Sequence, residues 1–516
     1  MLALLLAVIG GAAFASGGAG DEGARIAAAI ATLVAGEDAE LQAFYRARDY
    51  RPAWRRESTL RAFAQAVEEL AGDGLTPGQY GAAAFAAQRA GLDRAPQEPR
   101  AAAELELRVS RAWFAALRDL GRGRDPPAWV RAAPRPELDP AQISRDLDAG
   151  RLERTLARVR PDTAAYRALR EALARYRELE RRGGWPQLPD GPALRPAGAD
   201  PRIPALRARL AAEGLAVPPA VDPQDFDAGL AGTVRDFQYR HQLAPDAVVG
   251  ARTRAALNVP VAQRIAQLRV GLERERWLLA VLPDTHVLVD IAGQELSLAR
   301  AGGDPWRTRV IVGRPSRPTP VLPSAITHLE FHPTWTIPPT ILRKDVLPRV
   351  RRDPGYLARE RIDVLDPAGA RLDPALVDWS RPGRLLLRQR PGGTNPLGRV
   401  VIRFPNPHLV YLHDTPAPEL FALERRAISS GCIRVEHALE LVVRLLEGQP
   451  GWDRDAVLAA AAAEDASPRV ELARPVPLLL WYRTLRVDAE GRLIFAPDSY
   501  GLDAGVLAAL DRAAAW

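Results

Sequence analysis

Thiols are almost absent from this chain: its 516 residues include one cysteine, Cys432. A single thiol can neither close an intramolecular disulfide nor build a cysteine-based metal site. It is either an inert buried residue or a nucleophile. Lysine is equally scarce, with Lys344 alone, so the net charge of +7 is almost wholly arginine. Coding bias toward Arg, Ala, Gly and Pro accounts for much of that. No basic helix with interleaved aromatics is present, which argues against nucleic acid as a partner. The positive balance still suits a polyanion such as an anionic wall or lipid surface, and transient membrane association stays open. Long hydrophobic runs are missing too. Leu2 to Ala15 is apolar but too short to span a bilayer, and Ala13-Phe14-Ala15 before Ser16 has the small-x-small pattern of a signal-peptidase site. Residues 1–15 are expected to be a signal peptide or anchor. With 47% hydrophobic and 26% charged residues, neither wholesale disorder nor a multi-span membrane protein is indicated.

What is present changes character along the chain. From residue 21 to 185 the pattern is helical. Tyr166, Leu169, Leu173 and Tyr176 recur on one helix face, with Asp162 and Thr163 placed to cap. A Pro/Gly-rich stretch then marks a boundary. Residues 200–258 read as three short helices, with a stripe of Phe226, Leu230, Val234 and Phe237. A linker helix is expected over 259–282. The period then becomes two. His286 to Ile291, a turn at Ala292-Gly293 and Glu295 to Leu298 read as a hairpin, and Arg309 to Gly313 as a further strand. This mainly-β region is expected over 283–480, followed by a C-terminal segment, 481–516. The Arg-, Pro- and Asp-rich stretch 340–390 is an insertion and a candidate lid.

The chemistry concentrates in Tyr411-Leu-His-Asp-Thr-Pro416 and Ser429-Ser-Gly-Cys-Ile-Arg-Val435. Cys432 precedes an amphipathic pattern, so a helix N-terminus is expected to lower its pKa and favour thiolate. Attack on an amide also needs a base and a site for the oxyanion. His413 and His408 fall on opposite faces of a strand, and His437 lies well round a helix from Cys432, which leaves His413 as the better base. Gly431 permits close backbone approach, and the amides of Cys432 and its neighbours are candidate oxyanion donors. Arg434 has an alternative as partner of Glu436 or Glu440. Trp335 has one in core packing.

His413 and, fifteen residues on, Ser429-Ser-Gly-Cys-Ile-Arg434 resemble the signature of the L,D-transpeptidase family, the YkuD-type catalytic domain. Further matches are Val312-Gly-Arg-Pro with Thr319-Pro320, Phe331-His-Pro-Thr-Trp-Thr-Ile-Pro-Pro339, Arg352-Asp-Pro-Gly-Tyr356 and Arg388 to Gly398. Within 200–258, the Phe237-Gln238, Asp246-to-Gly250 and Thr253-to-Asn258 elements resemble a small peptidoglycan-binding module. The resemblance implies an α+β multidomain protein: a helical N-terminal scaffold, a three-helix peptidoglycan-binding module, and a mainly-β YkuD-like catalytic domain with an inserted lid. It implies Cys432 as nucleophile, His413 as base, and Gly431 and Cys432 as oxyanion donors. Arg434, Tyr411, Trp335 and Ser430 would contact substrate, and no metal or cofactor would be needed. Donor and acceptor would be peptidoglycan stem peptides, the location periplasmic, and carbapenem-type compounds inhibitors. Ser430 and Asp414 depart from the commoner pattern, which has histidine and glycine there, so the group orienting His413 is left open. Water or a protein as acceptor, or a noncatalytic wall-binding scaffold, are the rival readings.

Overall fold

Proline fits the first turn of a helix, where its missing N–H costs nothing. Pro99 opens the longest helix of the N-terminal region, Pro99–Arg122, which buries Leu105, Val109, Trp113, Leu117 and Leu120 at spacings of four, four, four and three. Helices Ala39–Arg46 and Glu57–Glu69 bring Phe44 and Phe63 to the same core. Truncating a ring such as Trp113 there costs about 3–5 kcal/mol. The computed structural model describes residues 17–92, 98–133, 138–353, 355–381, 383–463, 467–514 and 516. The expected signal segment lies outside the described residues. Among the described residues no helix is long and apolar enough to cross a membrane.

Helix Ala164–Arg181 starts at Thr163, whose hydroxyl accepts the Tyr166 amide at 3.1 Å. It packs on the long helix Val261–Leu279. Arg276 of the latter is fully buried and donates to the Asp73 carbonyl (2.7 Å) and the Tyr166 hydroxyl (2.8 Å). A buried guanidinium needs such partners, and these join the linker helix to the scaffold. Between the two helices in the chain comes a module of Ile203–Ala212, Ala228–Arg240 and Ala251–Leu257 around Leu206, Leu230, Phe237 and Leu257. Gln238 donates to Asp246 (2.8 Å) and Thr253 (3.2 Å) and accepts the Ala247 amide. The motif residues of this module therefore hold its turn together.

The remainder is built on strands β1 His286–Asp290, β2 Glu295–Ala299, β3 Trp306–Gly313, β4 Leu322–Phe331, β5 Trp335–Thr336, β6 Ile362–Leu365, β7 Arg371–Leu372, β8 Leu386–Gln389, β9 Val400–Arg403, β10 Leu412–His413, β11 Ala427–Ser429, β12 Ile433–Val435, β13 Arg469–Trp481, β14 Leu485–Val487 and β15 Leu493–Phe495. Nine of them form one sheet in the order β11-β3-β12-β10-β9-β4-β13-β1-β2, and β2 also pairs with β3, so the run closes on itself and leaves few open edges. Leu329, Ile402, Leu412 and Ile433 of neighbouring strands lie in its core. The inserted segment has its own sheet, β5-β8-β6-β7, and a small core of Ile337, Val346, Val350, Leu357, Val364 and Leu387. After β15, helix Asp503–Asp511 returns to the scaffold. Leu510 is buried in the scaffold core, and Trp516 donates its indole N–H to the Gln79 carbonyl at 2.5 Å. Nothing in the period of the sequence announces this return.

Candidate functional site

Side chains alternate faces along a strand, so the pairing register decides what meets what. β10 and β12 run parallel with Leu412 opposite Ile433 and His413 opposite Arg434. Leu412 and Ile433 point into the core, which leaves His413 and Arg434 on the other face. One residue earlier on each chain, Tyr411 and Cys432 adjoin, and the Ile433 amide donates to the Tyr411 carbonyl at 3.0 Å. β9 adds Arg403 to this face, its guanidinium 4.6 Å from the centre of the Tyr411 ring. Arg403 is held by Glu330 of β4 at 2.8 Å. Strand alternation in Val400-Val-Ile-Arg403 carried a signal for this arginine, though not for its neighbour across the sheet.

Cys432 is half-buried, and its sulfur lies 4.0 Å from the Leu409 carbonyl. Burial raises its pKa. The Tyr411 amide and hydroxyl facing the sulfur, and then the Arg403 and Arg434 charges, pull it down without prevailing. The expected helix N-terminus is not there: Cys432 leads into β12, and the next helix, Ala438–Leu445, begins six residues later. The resting group is a thiol, stabilised neither by a helix dipole nor by an imidazolium.

His413 is buried, and its Nδ1 lies 2.6 Å from the Asp414 carbonyl. A carbonyl only accepts, so Nδ1 carries the proton and Nε2 keeps its lone pair. A backbone carbonyl is thus the orienting group the sequence left open. Burial, and after it the Arg434 charge, push the His413 pKa down to about 3, against the carbonyls of Asp414 and Pro396, which favour the protonated ring. The ring is neutral at any physiological pH. Its edge meets Tyr411 with centroids 5.7 Å apart. Among the described residues no hydrogen bond joins it to the sulfur; the two are diagonal neighbours across one strand pair. Asp414 turns its carboxylate to the Arg399 amide (3.0 Å), bracing the loop that carries Pro396.

Of the other expected site residues, Trp335 stands at the edge of the inserted sheet, with its indole N–H beside the Tyr411 hydroxyl. The register and Tyr411 thus bring Cys432, His413, Arg434 and Trp335 to one place. Arg434 pairs with neither proposed carboxylate, since Glu436 is taken by Arg309 and Glu440 by Arg444 and Arg454. Its guanidinium has no acceptor among the described residues. Gly431 sits at φ 122°, a conformation that excludes other residues without strain. Its amide donates to Ser429 Oγ (3.1 Å), and the same hydroxyl donates to the Cys432 carbonyl (2.6 Å). That amide is therefore committed, whereas the Cys432 amide has no acceptor among the described residues. Ser430 faces away, toward Arg317 (2.9 Å) and Arg314 (3.2 Å). Thr319 and Ser429 entered the sequence reading only as motif residues with no site role, and Arg317 did not enter it. Thr319 and Ser429 hold the loop that carries Cys432, and their hydroxyls leave no periodic trace. Among the described residues no group of three or more His, Cys, Asp or Glu is arranged to hold a metal ion.

A thiol, a neutral imidazole of fixed tautomer and an unpaired guanidinium on one face of a closed sheet can together transfer an acyl group. Residues 284–452 match the YkuD family, described as "L,D-transpeptidase catalytic domain". Residues 199–257 match a family described as "Putative peptidoglycan binding domain", and residues 39–173 match one described as "Scaffold domain". The chain thus carries a YkuD L,D-transpeptidase catalytic domain together with a peptidoglycan-binding domain and a helical scaffold. A Haemophilus influenzae protein named "Putative L,D-transpeptidase" is 35% identical over 232 residues, 44% of this chain and 46% of that protein. The match spans about half of that relative's length. Among solved structures, an L,D-transpeptidase from Mycobacterium smegmatis is 14% identical over 38% of this chain and 58% of its own, with a TM-score of 0.19. One from Xylanimonas cellulosilytica is 14% identical over 57% of this chain and 99% of its own, with a TM-score of 0.18.

Proposed function

We propose that this chain is a periplasmic L,D-transpeptidase that forms 3-to-3 cross-links between peptidoglycan stems through a Cys432 thioester. The observation that carries the reading is His413: a buried, neutral ring with Nδ1–H committed to the Asp414 carbonyl, which makes Nε2 its proton-accepting atom, on the same sheet face as the only thiol. Nε2 takes the thiol proton as Sγ attacks the carbonyl of the third stem residue. Hydrogen bonds of this kind tighten once substrate is bound. The C–S bond forms, the C–N bond to the terminal D-alanine breaks, and the proton passes to the departing amine. An amine of a second stem then attacks the thioester. It gives its proton to His413, the C–S bond breaks, and the thiol is restored. The tetrahedral oxyanion is received by the Cys432 amide and the Tyr411 hydroxyl, and Arg434 takes a stem carboxylate. The 200–258 module holds the wall polymer, residues 340–390 cover the site as a lid, and carbapenem-type compounds acylate Cys432.

Purified protein incubated with tetrapeptide muropeptides, with products read by mass, tests this. Dimers with loss of D-alanine are expected; tripeptides alone would make water the acceptor. Dimer formation that survives Cys432→Ala would end the proposal.

A further inference from the structure

Beside the nucleophile loop, two guanidiniums converge on one hydroxyl. Arg317 Nη1 donates to Ser430 Oγ at 2.9 Å and Arg314 Nη2 at 3.2 Å, and Arg314 Nε reaches the Ser429 carbonyl at 3.2 Å. Both arginines stand on a tight turn after β3. Gly313 is obligatory in it, because a Cβ there would come within 2.3 Å of the Arg317 carbonyl. The turn is fastened to the nucleophile loop: the Thr319 hydroxyl accepts the Gly313 amide (2.9 Å) and donates to the Gly431 carbonyl (2.8 Å), while the Tyr500 hydroxyl receives the Thr319 amide (3.2 Å) and donates to the Gly313 carbonyl (2.5 Å). These guanidiniums are therefore fixed before any ligand arrives, as a rigid anion site requires.

One carboxylate already occupies the site, and it comes from the lid. Asp345 Oδ2 accepts from Arg317 Nη1 at 2.6 Å and Oδ1 from Nη2 at 3.4 Å. Asp345 belongs to a turn of π-helix, Leu342–Val346, directly after exposed Arg343 and Lys344 and before buried Val346. Such turns are uncommon and often mark functional positions. The Arg317 side chain is 14% exposed and that of Asp345 34%, so the carboxylate sits on the solvent side of the guanidinium, where an incoming anion would displace it.

We infer that Arg317, supported by Arg314 and Ser430, is a carboxylate subsite for the acidic acceptor stem, and that Asp345 holds that place until the stem arrives. The inference rests on the transpeptidase reading above. Displacement exchanges one carboxylate for another on a preformed cation and frees the lid segment, so acceptor binding and lid release are one event. Bidentate guanidinium–carboxylate pairing favours stems with a free carboxylate over their carboxamides.

The test uses the full chain, a tetrapeptide donor and two acceptor stems that differ only in carboxylate against carboxamide. Asp345→Asn removes the internal competitor and is expected to lower KM for the acidic acceptor about three- to tenfold while leaving the amidated one within twofold. The double variant Asp345→Asn/Arg317→Gln leaves neither charge unpaired and is expected to abolish the preference between the two acceptors. A preference that survives in the double variant, or equal shifts for both acceptors in Asp345→Asn, would overturn the subsite. Loss of D-alanine release from the donor in the unaltered protein would instead overturn the transpeptidase reading, so the two failures are distinguishable.

Discussion

The resting state of Cys432 can be measured directly, because it is the only thiol in the chain. Its pKa is raised above the ordinary value of 9.0 by burial, and the facing Tyr411 groups and the Arg403 and Arg434 charges do not reverse that. A thiol with pKa at or above that value is about 1% thiolate or less at pH 7, whereas a preformed cysteine–imidazolium pair with a pKa of about 3–4 is fully ionised. Alkylation by iodoacetamide, followed by intact mass, should accelerate about tenfold per pH unit between pH 6 and 8. It should reach no plateau below pH 9. His413→Asn should leave that profile in place, since the imidazole does not create the thiolate. The same variant should slow acylation by the tetrapeptide donor about 10²- to 10⁴-fold, the usual contribution of a positioned base. A plateau beginning below pH 7, or a profile displaced in His413→Asn, would refute the neutral-thiol argument and restore the ion pair.

Thr319→Val removes the hydroxyl that links the Gly313 amide to the Gly431 carbonyl; about 1–3 kcal/mol is expected for each group left unpaired, read as a lower urea midpoint together with slower donor acylation. Gly431→Ala meets nothing closer than 3.7 Å, so its cost is conformational, about 1–3 kcal/mol from the positive φ. A variant as stable as the parent would contradict this. His413 and His241 both have folded pKa values of about 3, pushed down mainly by burial. Both lie below the unfolded value of 6.5, so the native state binds fewer protons than the unfolded one between pH 6.5 and 3. The stability they contribute is full above pH 6.5 and is lost as the pH falls through that window, by up to about 1.4 kcal/mol per unit for each ring. Urea titrations at pH 7 and pH 5 should show the loss, and His413→Asn should remove about half of it.

Much of this architecture was legible because its signals are local. A period near 3.6 with Thr163 at a cap announced the helix Ala164–Arg181, and a period of two around Ala292-Gly293 announced the β1–β2 hairpin. The motif around Cys432 was legible as well, but its electrostatics were not. An amphipathic pattern running from Val435 to Leu446 placed a helix directly after the cysteine, yet Ile433–Val435 pairs between β3 and β10, and the helix waits until Ala438. An apolar residue at the end of a strand and one at the start of a helix look alike in sequence, and the dipole argument fell with that one boundary. Of the charges that replaced it, Arg434 is a same-face neighbour two residues on, whereas Arg403 from β9 reaches the sulfur only through the register of β9, β10 and β12. A register shift of one residue would carry Tyr411 and His413 into the core and Leu412 out of it. What sets the reactivity of the thiol is therefore largely a property of the sheet: of the groups that pull its pKa down, the four residues around the cysteine contain Arg434 alone.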